Sequence, residues 1–482
     1  MLNSHLIATS LAISLLLTSG CDALVPSKRT PPKPRDSIEL LRRVPTTKSY
    51  EEWGQWARNN RVSLLAKYGG SPQNEKRSTG TNLMVNQAAD SSFYGSLAVG
   101  TPPVSYDVIL DTGSADLWLA GPSFCDSSDC DRIATFASTQ SSTLKESNTP
   151  FSITYGSGFA SGNLATDTVQ MAGFSVPNQV FGICNNVSSG MLTQPVSGLL
   201  GLAFETIASS KATPFWETLV KSGTWDSPLM AFQLTRYNNA SRVRELEPGG
   251  SFTMGFVNST LYTGEIDYQN IPSGQETYWI QQMTSLTIQG NSITLPSADS
   301  LAAIDTGTTL IGGPPSVVQS IYSQIEGSRP GTGDYEGYFL YPCSTNADVT
   351  IAFGGKSWTI SNADFQVTSV GNSMCLGAFF GLETGNNLPS WIVGDAFLKN
   401  VYSVFRYDPP SVGFAELSAY SLSLNGANNP VPTPTIGSAA ATVSATNLVK
   451  NDNNSAVSLP PVGGAMVMFV SMITVVVAPL LL

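Results

Sequence analysis

Two short acidic stretches carry the chemistry this chain could perform: Asp111-Thr112-Gly113-Ser114 in "VILDTGSADLWLAG", and Asp305-Thr306-Gly307-Thr308 in "AAIDTGTTLIGGP". Each Asp follows apolar residues and precedes a hydroxyl residue and a glycine. That order describes a strand running into a tight turn, where Gly permits close backbone approach. Two such turns facing each other would bring two carboxylates to hydrogen-bonding distance. Both cannot ionise easily there, so one proton is shared and the pair titrates in separated steps. The ionised member can take a proton from a water held between them, while the protonated member donates to a substrate carbonyl. Amide hydrolysis then needs no metal, cofactor or covalent nucleophile. In this reading Asp111 and Asp305 react, and Thr112, Gly113, Thr306 and Gly307 shape the turns. The Ser114 and Thr308 hydroxyls hydrogen-bond the outer carboxylate oxygens.

One count removes the competing mechanisms. His5 is the only histidine, and it lies in an apolar N-terminal stretch that reads as a cleaved leader. A mature chain without His cannot run a Ser-His-Asp or Cys-His mechanism, nor hold zinc through imidazole. No metal, cofactor or nucleic-acid partner is therefore expected.

The elements that must position the two turns are strands. Of the 482 residues 41% are hydrophobic and only 12% charged. Short apolar runs recur between Gly, Ser, Thr and Pro after residue 80, a pattern of β structure and turns. An all-β body in two similar halves is expected, with short helices at 213–223 and 314–325 and a boundary near residue 260.

The two ends have a different character. Residues 1–23 read as a secretory signal peptide, although no Lys or Arg precedes its apolar run. Residues 24–77 hold 12 Lys/Arg against 5 Asp/Glu, whereas residues 78–482 hold 12 against 29. The boundary is the dibasic pair Lys76-Arg77, which suggests processing of a basic propeptide. Such a segment covers an acidic body through charge pairing that fails once carboxylates protonate; a leader that only assists folding is the alternative. Residues 421–454 are rich in Ser, Thr, Asn, Ala and Pro, the composition of a solvated stalk. Residues 455–482 end in an apolar run without following Lys or Arg. With the small residues upstream, that order is a GPI-attachment signal at about Asn454, a plain tail anchor being the alternative. Asn186, Asn239, Asn258 and Asn453 lie in N-glycosylation acceptor triplets. Oxidising export would let Cys125 pair with Cys130 and Cys343 with Cys375, leaving Cys184 as a buried free thiol.

Taken together these stretches resemble the pepsin-like aspartic proteases over about Phe93 to Leu417. "FYGSLAVGTPPVSYDVILDTGSADLWL" resembles that family's first catalytic region, including Trp118. "ITYGSGFASGNLATDTV" resembles its substrate flap, placing the flap residues at Tyr155, Gly156 and Ser157. "GLLGLAF" and "WIVGDAFLKN" resemble the segments that cross behind each catalytic turn, and "AKYGG" resembles the propeptide Lys-Tyr, here Lys67 and Tyr68. The resemblance implies a bilobal all-β fold with an interlobe cleft. It implies an endopeptidase that acts as a monomer on polypeptide substrates and is made as a zymogen inhibited by its own propeptide through Lys67. It also implies a hydrogen bond from Trp118 to the flap tyrosine. A second disulfide common in the family's C-terminal half has no cysteines left for it here. The GPI signal and stalk resemble the fungal yapsins, tethered to the membrane or wall, some of which prefer basic residues. Family membership suggests apolar residues at the cut bond, so the preference stays open at this level. A binding protein on a disused protease scaffold is the rival reading.

Overall fold

A computed structural model describes residues 78–124, 133–385 and 388–432, together with the backbone of a two-residue strand at Val443–Ser444. The stretch read as a leader, that read as a propeptide with Lys67, Tyr68, Lys76 and Arg77, the expected Cys125–Cys130 pair, and the stretch read as a C-terminal signal with Asn453 and Asn454 lie outside the described residues. All described residues belong to one compact unit, Pro72–Leu482.

The body is all-β, as the short apolar runs require. A sheet of 14 strands runs through it. At one end lies the hairpin Lys145–Tyr155 and Gly158–Met171. Phe151, Ile153 and Tyr155 are buried while Ser152 and Thr154 face solvent, the period-two alternation of a half-covered sheet. Further in, the strand Val104–Asp111 is buried along its length from Ser105. It lies between Ser92–Val99, antiparallel, and Gly198–Gly201, parallel, and the near-continuous apolar run "YDVIL" follows from cover on both faces.

The sheet does not stop at the expected boundary near residue 260. The strand Leu229–Leu234 pairs with Val401–Arg406 from the second half, which pairs in turn with Ser411–Leu417 and then Tyr262–Asn270. The two halves thus share one backbone hydrogen-bond ladder behind the site. Three smaller sheets complete the second half.

The internal repeat is structural as well as verbal. Val104–Asp111 pairs parallel with Gly198–Gly201, which pairs antiparallel with Leu117–Ala120. In the second half Leu301–Ile304 pairs parallel with Trp391–Val393, which pairs antiparallel with Ile311–Gly313. In each half a glycine lets the crossing strand pass behind the acidic turn. A Cβ on Gly201 would lie 2.4 Å from the Asp116 nitrogen, and one on Gly394 2.0 Å from the Thr308 carbonyl oxygen.

The two main helices, Phe215–Lys221 and Pro315–Ser323, fall within the expected spans. Trp216 on the first donates from its indole nitrogen to the Ala203 carbonyl at 3.0 Å, and Trp279 donates to the Leu202 carbonyl at 2.9 Å. With Phe204, 4.4 Å from Trp279 between ring centroids, they wedge the two halves together just behind the first turn.

The disulfide Cys343–Cys375 is formed, and Cys184 is a buried free thiol pushed up to about 12 by burial and the nearby Asp116 charge. Asn186 and Asn239 are exposed. Asn258 is half-buried, its side-chain oxygen accepting from the Thr260 backbone and hydroxyl. One expectation is corrected: the solvated segment does not begin at Ser421. Residues Ala419–Ser423 form a short helix, and Ser421 is fully buried, its hydroxyl donating to the Leu261 carbonyl at 2.7 Å. A small hydroxyl residue reads as solvated by composition, yet it can be buried wherever a carbonyl accepts its proton.

Candidate active site

Asp111 ends the strand Val104–Asp111, and Asp305 follows directly on Leu301–Ile304. Each carboxylate is held by its own turn in the same way. Gly113 N–H donates to Asp111 Oδ1 at 2.8 Å and the Ser114 hydroxyl to Oδ2 at 2.6 Å. Gly307 N–H donates to Asp305 Oδ1 at 2.8 Å and the Thr308 hydroxyl to Oδ2 at 2.7 Å.

The two threonines clasp the turns to each other. Thr112 N–H donates to Thr306 Oγ1 at 3.1 Å, and Thr306 N–H to Thr112 Oγ1 at 3.0 Å. Each hydroxyl then donates onward across the divide, Thr112 to the Ile304 carbonyl and Thr306 to the Leu110 carbonyl. The residues before one Asp are thereby bonded to the residue after the other. This reciprocity has no local signature in the sequence, because it exists only once the turns face each other.

The Asp305 carboxyl lies close against the first turn. A Cβ on Gly113 would lie 2.6 Å from the Asp305 carboxyl carbon. Asp111 is 0% and Asp305 2% exposed. Burial, and next the charge of Asp111, hold the Asp305 carboxyl well above the usual carboxylate range, against the bonds from Thr308 and Gly307. One proton is therefore retained within the pair.

Above the turns, Trp118 Nε1 donates to Tyr155 Oη at 2.8 Å. Tyr155 ends its strand opposite Gly158, whose φ of 143° is open to glycine but strained for other residues. Gly156 is exposed and Ser157 half-buried at the hairpin tip. Burial and the Asp111 charge keep the Tyr155 phenol protonated. An apolar pocket opens beside it, lined by Ile109, Trp118, Tyr155, Met191, Leu192 and Leu199 with Ser157, Gly198 and Gly307. Met191 and Leu192 lie in an irregular loop that offers no periodic signal, so sequence reasoning missed them. It also missed Tyr278, a buried phenol raised by burial and then by the charges of Asp305 and Asp111. Only long-range proximity marks it.

Several other buried acids share the upward shift. Asp107 is pushed up to about 6 by burial, against a bond from the Ser96 hydroxyl. Burial also raises Asp116, whose oxygens accept from the Ser209 and Ser210 N–H groups. Such acids hold protons in the folded chain that the unfolded chain has already released, so their contribution to stability is lost as pH rises through their folded values. The melting temperature is expected to fall steadily between about pH 4 and pH 7. A calorimetric profile flat or rising across that window would contradict the assignment.

The sequence profile of the eukaryotic aspartyl proteases matches residues 92–417. The chain is 46% identical to major aspartyl peptidase 1 of Cryptococcus neoformans var. grubii, over 71% of this chain and 72% of that one. It is 36% identical to an aspartic protease of Phaffia rhodozyma, over 71% and 80% of the two chains, and 33% identical to chicken (Gallus gallus) cathepsin D, over 68% and 81%. Paired acidic turns, two-half β architecture and these likenesses agree, and the chain belongs to the pepsin-like, eukaryotic aspartyl protease family.

Proposed function

We propose that this chain is a surface-tethered endopeptidase acting in acid, with Asp111 and Asp305 as its catalytic pair. The observation that carries the reading is the clasped turns: two buried carboxylates, equivalently bonded, of which one retains a proton. A water between them gives a proton to Asp111 as its oxygen attacks the scissile carbonyl carbon, and Asp305 donates its proton to the carbonyl oxygen. Collapse of the resulting diol returns a proton to the departing nitrogen and breaks the C–N bond. Raising the pH ionises Asp305 and removes the acid, so the rate falls towards neutrality.

An extended peptide fits under the Tyr155 hairpin, bonded as an added strand. Among the described residues, the pocket beside that tyrosine has no carboxylate in its lining. That favours a large apolar side chain next to the cut bond over a basic one, whose charge would go unpaired. Tyr155→Phe keeps the ring but removes the acceptor for Trp118. It is expected to lower kcat/KM about 10-fold while leaving the melting temperature within about 2 °C. Equal rates in steady-state kinetics would remove the hydroxyl from the mechanism.

The remaining parts rest on sequence alone. The basic segment 24–77 is the inhibitor, with Lys67 and Tyr68 set against the carboxylates until acid or cleavage after Arg77 releases it. Secretion, N-glycans at Asn186, Asn239, Asn258 and Asn453, and a GPI anchor at Asn454 place a monomer at the cell surface. The test is acidified hydrolysis of a mixed peptide library by the processed protein, with and without a statine-type peptide whose hydroxyl replaces the water. Inhibited cutting beside apolar residues is expected. Cuts confined to basic residues would overturn the pocket assignment, and no cutting at any acidic pH would leave the binding-protein reading.

A further inference from the structure

The match to the protease family ends at Leu417, but the folded chain does not. After the helix Ala419–Ser423 the backbone turns at Gly426, where φ is +63°, and runs back across the first half. It meets one stretch there, residues 235–247, which links the strands Leu229–Leu234 and Leu246–Met254 without regular structure of its own until Leu246.

The contacts are successive. Arg236 N–H donates to Asn425 Oδ1 at 2.9 Å, and Gly426 N–H donates back to the Arg236 carbonyl at 2.9 Å. The Tyr237 hydroxyl donates to the Ala427 carbonyl at 2.8 Å, and Arg244 to the Asn429 carbonyl at 2.6 Å. Val431 then packs, partly buried like Leu246, against the cluster that holds Val85 and Tyr94. Farther on, Val443–Ser444 adds to the strand edge at Val104 and Ser105, again in the first half.

What lies beneath gives the contact its meaning. Tyr237 N–H and Asn238 N–H donate to the Asp90 carboxylate, which also pairs with buried Lys399 at 2.8 Å. Arg236 pairs with Asp364, which Lys399 also reaches at 2.9 Å. Lys399 ends the short helix whose first residue, Asp395, donates its N–H to the Thr308 carbonyl of the second acidic turn. The 235–247 stretch is thus the outer cover of a buried ion cluster, and the C-terminal extension lies over that cover.

We propose that residues 425–431 are an intramolecular strap, seated on the 235–247 stretch, that keeps this cover closed over the Asp90–Lys399–Asp364 cluster. The strap holds stability rather than chemistry, since none of its residues reaches the carboxylate pair. A pull or a cut beyond residue 431 therefore acts on the cover first.

The test uses the full chain with single substitutions in the extension. Val431→Asp puts a charge into the partly buried contact, while Leu422→Asp puts the same charge on a side chain of the same extension that is 51% exposed. Val431→Asp is expected to lower the melting temperature by roughly 3 °C or more and to speed amide exchange at residues 236–238 about 10-fold, with Leu422→Asp within about 1 °C of the parent. Tyr237→Phe removes the bond to Ala427, and its loss should be less than additive with Val431→Asp because both release one contact. Equal effects of the two aspartates, or strict additivity with Tyr237→Phe, would overturn the strap. Melting and exchange need no activity, so these outcomes are independent of the protease assignment.

Discussion

The Asp305→Asn chain is expected to fold as the parent does and to hydrolyse peptides at least about 10³-fold more slowly. The amide occupies the same space and still accepts one bond from the Gly307 or Thr308 donors that now reach the carboxylate. What it cannot do is give up a proton to the substrate carbonyl. The stability result is equally specific. Asp305 is held neutral by burial and by the Asp111 charge, so its ionisation as pH rises weakens the folded state. A permanently neutral Asn escapes that loss. The variant should therefore melt close to the parent at about pH 4 and at or above it at about pH 7. Activity within about 10-fold of the parent would show that Asp305 is not the acid.

Replacing Lys399 by Met should cost about 3–5 kcal/mol of stability. Lys399 is 4% exposed and reaches two carboxylates, Asp90 at 2.8 Å and Asp364 at 2.9 Å. Burial alone would lower the pKa of its ammonium, but the charges of Asp364 and Asp90 overcome that and keep it protonated. For Asp364 burial acts upward and is outweighed by Lys399 and Arg236, which bring its carboxyl below the usual range. Methionine fills similar volume but leaves Asp90 with only N–H donors and Asp364 with only Arg236, Asn400 and the Ser361 hydroxyl. A fall in melting temperature of roughly 6–10 °C near pH 5 is expected. The sign of its pH dependence follows from Asp364. A depressed acid contributes stability above its unfolded value and loses it as pH falls through its folded value. The gap between Lys399→Met and the parent should therefore narrow below about pH 4. A gap constant or widening towards lower pH, or a change under about 1 °C, would remove the cluster from the stability of the body.

The acidic turns were legible because their signal is local. Apolar residues, Asp, a hydroxyl residue and Gly in fixed order specify a strand entering a tight turn, and the order occurs twice. His5 being the only histidine, the residues around the acidic turns offer no imidazole for the rival mechanisms. The hairpin ending at Tyr155 and the two helices were legible for the same reason, through alternation, glycine and proline within a few residues.

Other features have no local signature. Thr112 and Thr306 read as turn residues, and only their meeting makes each the donor and acceptor of the other's turn. Lys399 reads as one surface charge among many until a hairpin turn and a short helix bring Asp90 and Asp364 to it. Ser421 reads as stalk until Leu261 offers its carbonyl. The strands after residue 400 return to the first half's sheet because edges with free N–H and C=O groups must be paired or covered. Which edge they pair with is settled by packing across long sequence separations. The sequence by itself thus determined the paired acidic turns, their duplication and the β character of the body. Tertiary structure alone decided how the two turns are clasped, which side chains line the pocket and where the C-terminal extension lies, because those depend on surfaces that meet only after the chain has closed on itself.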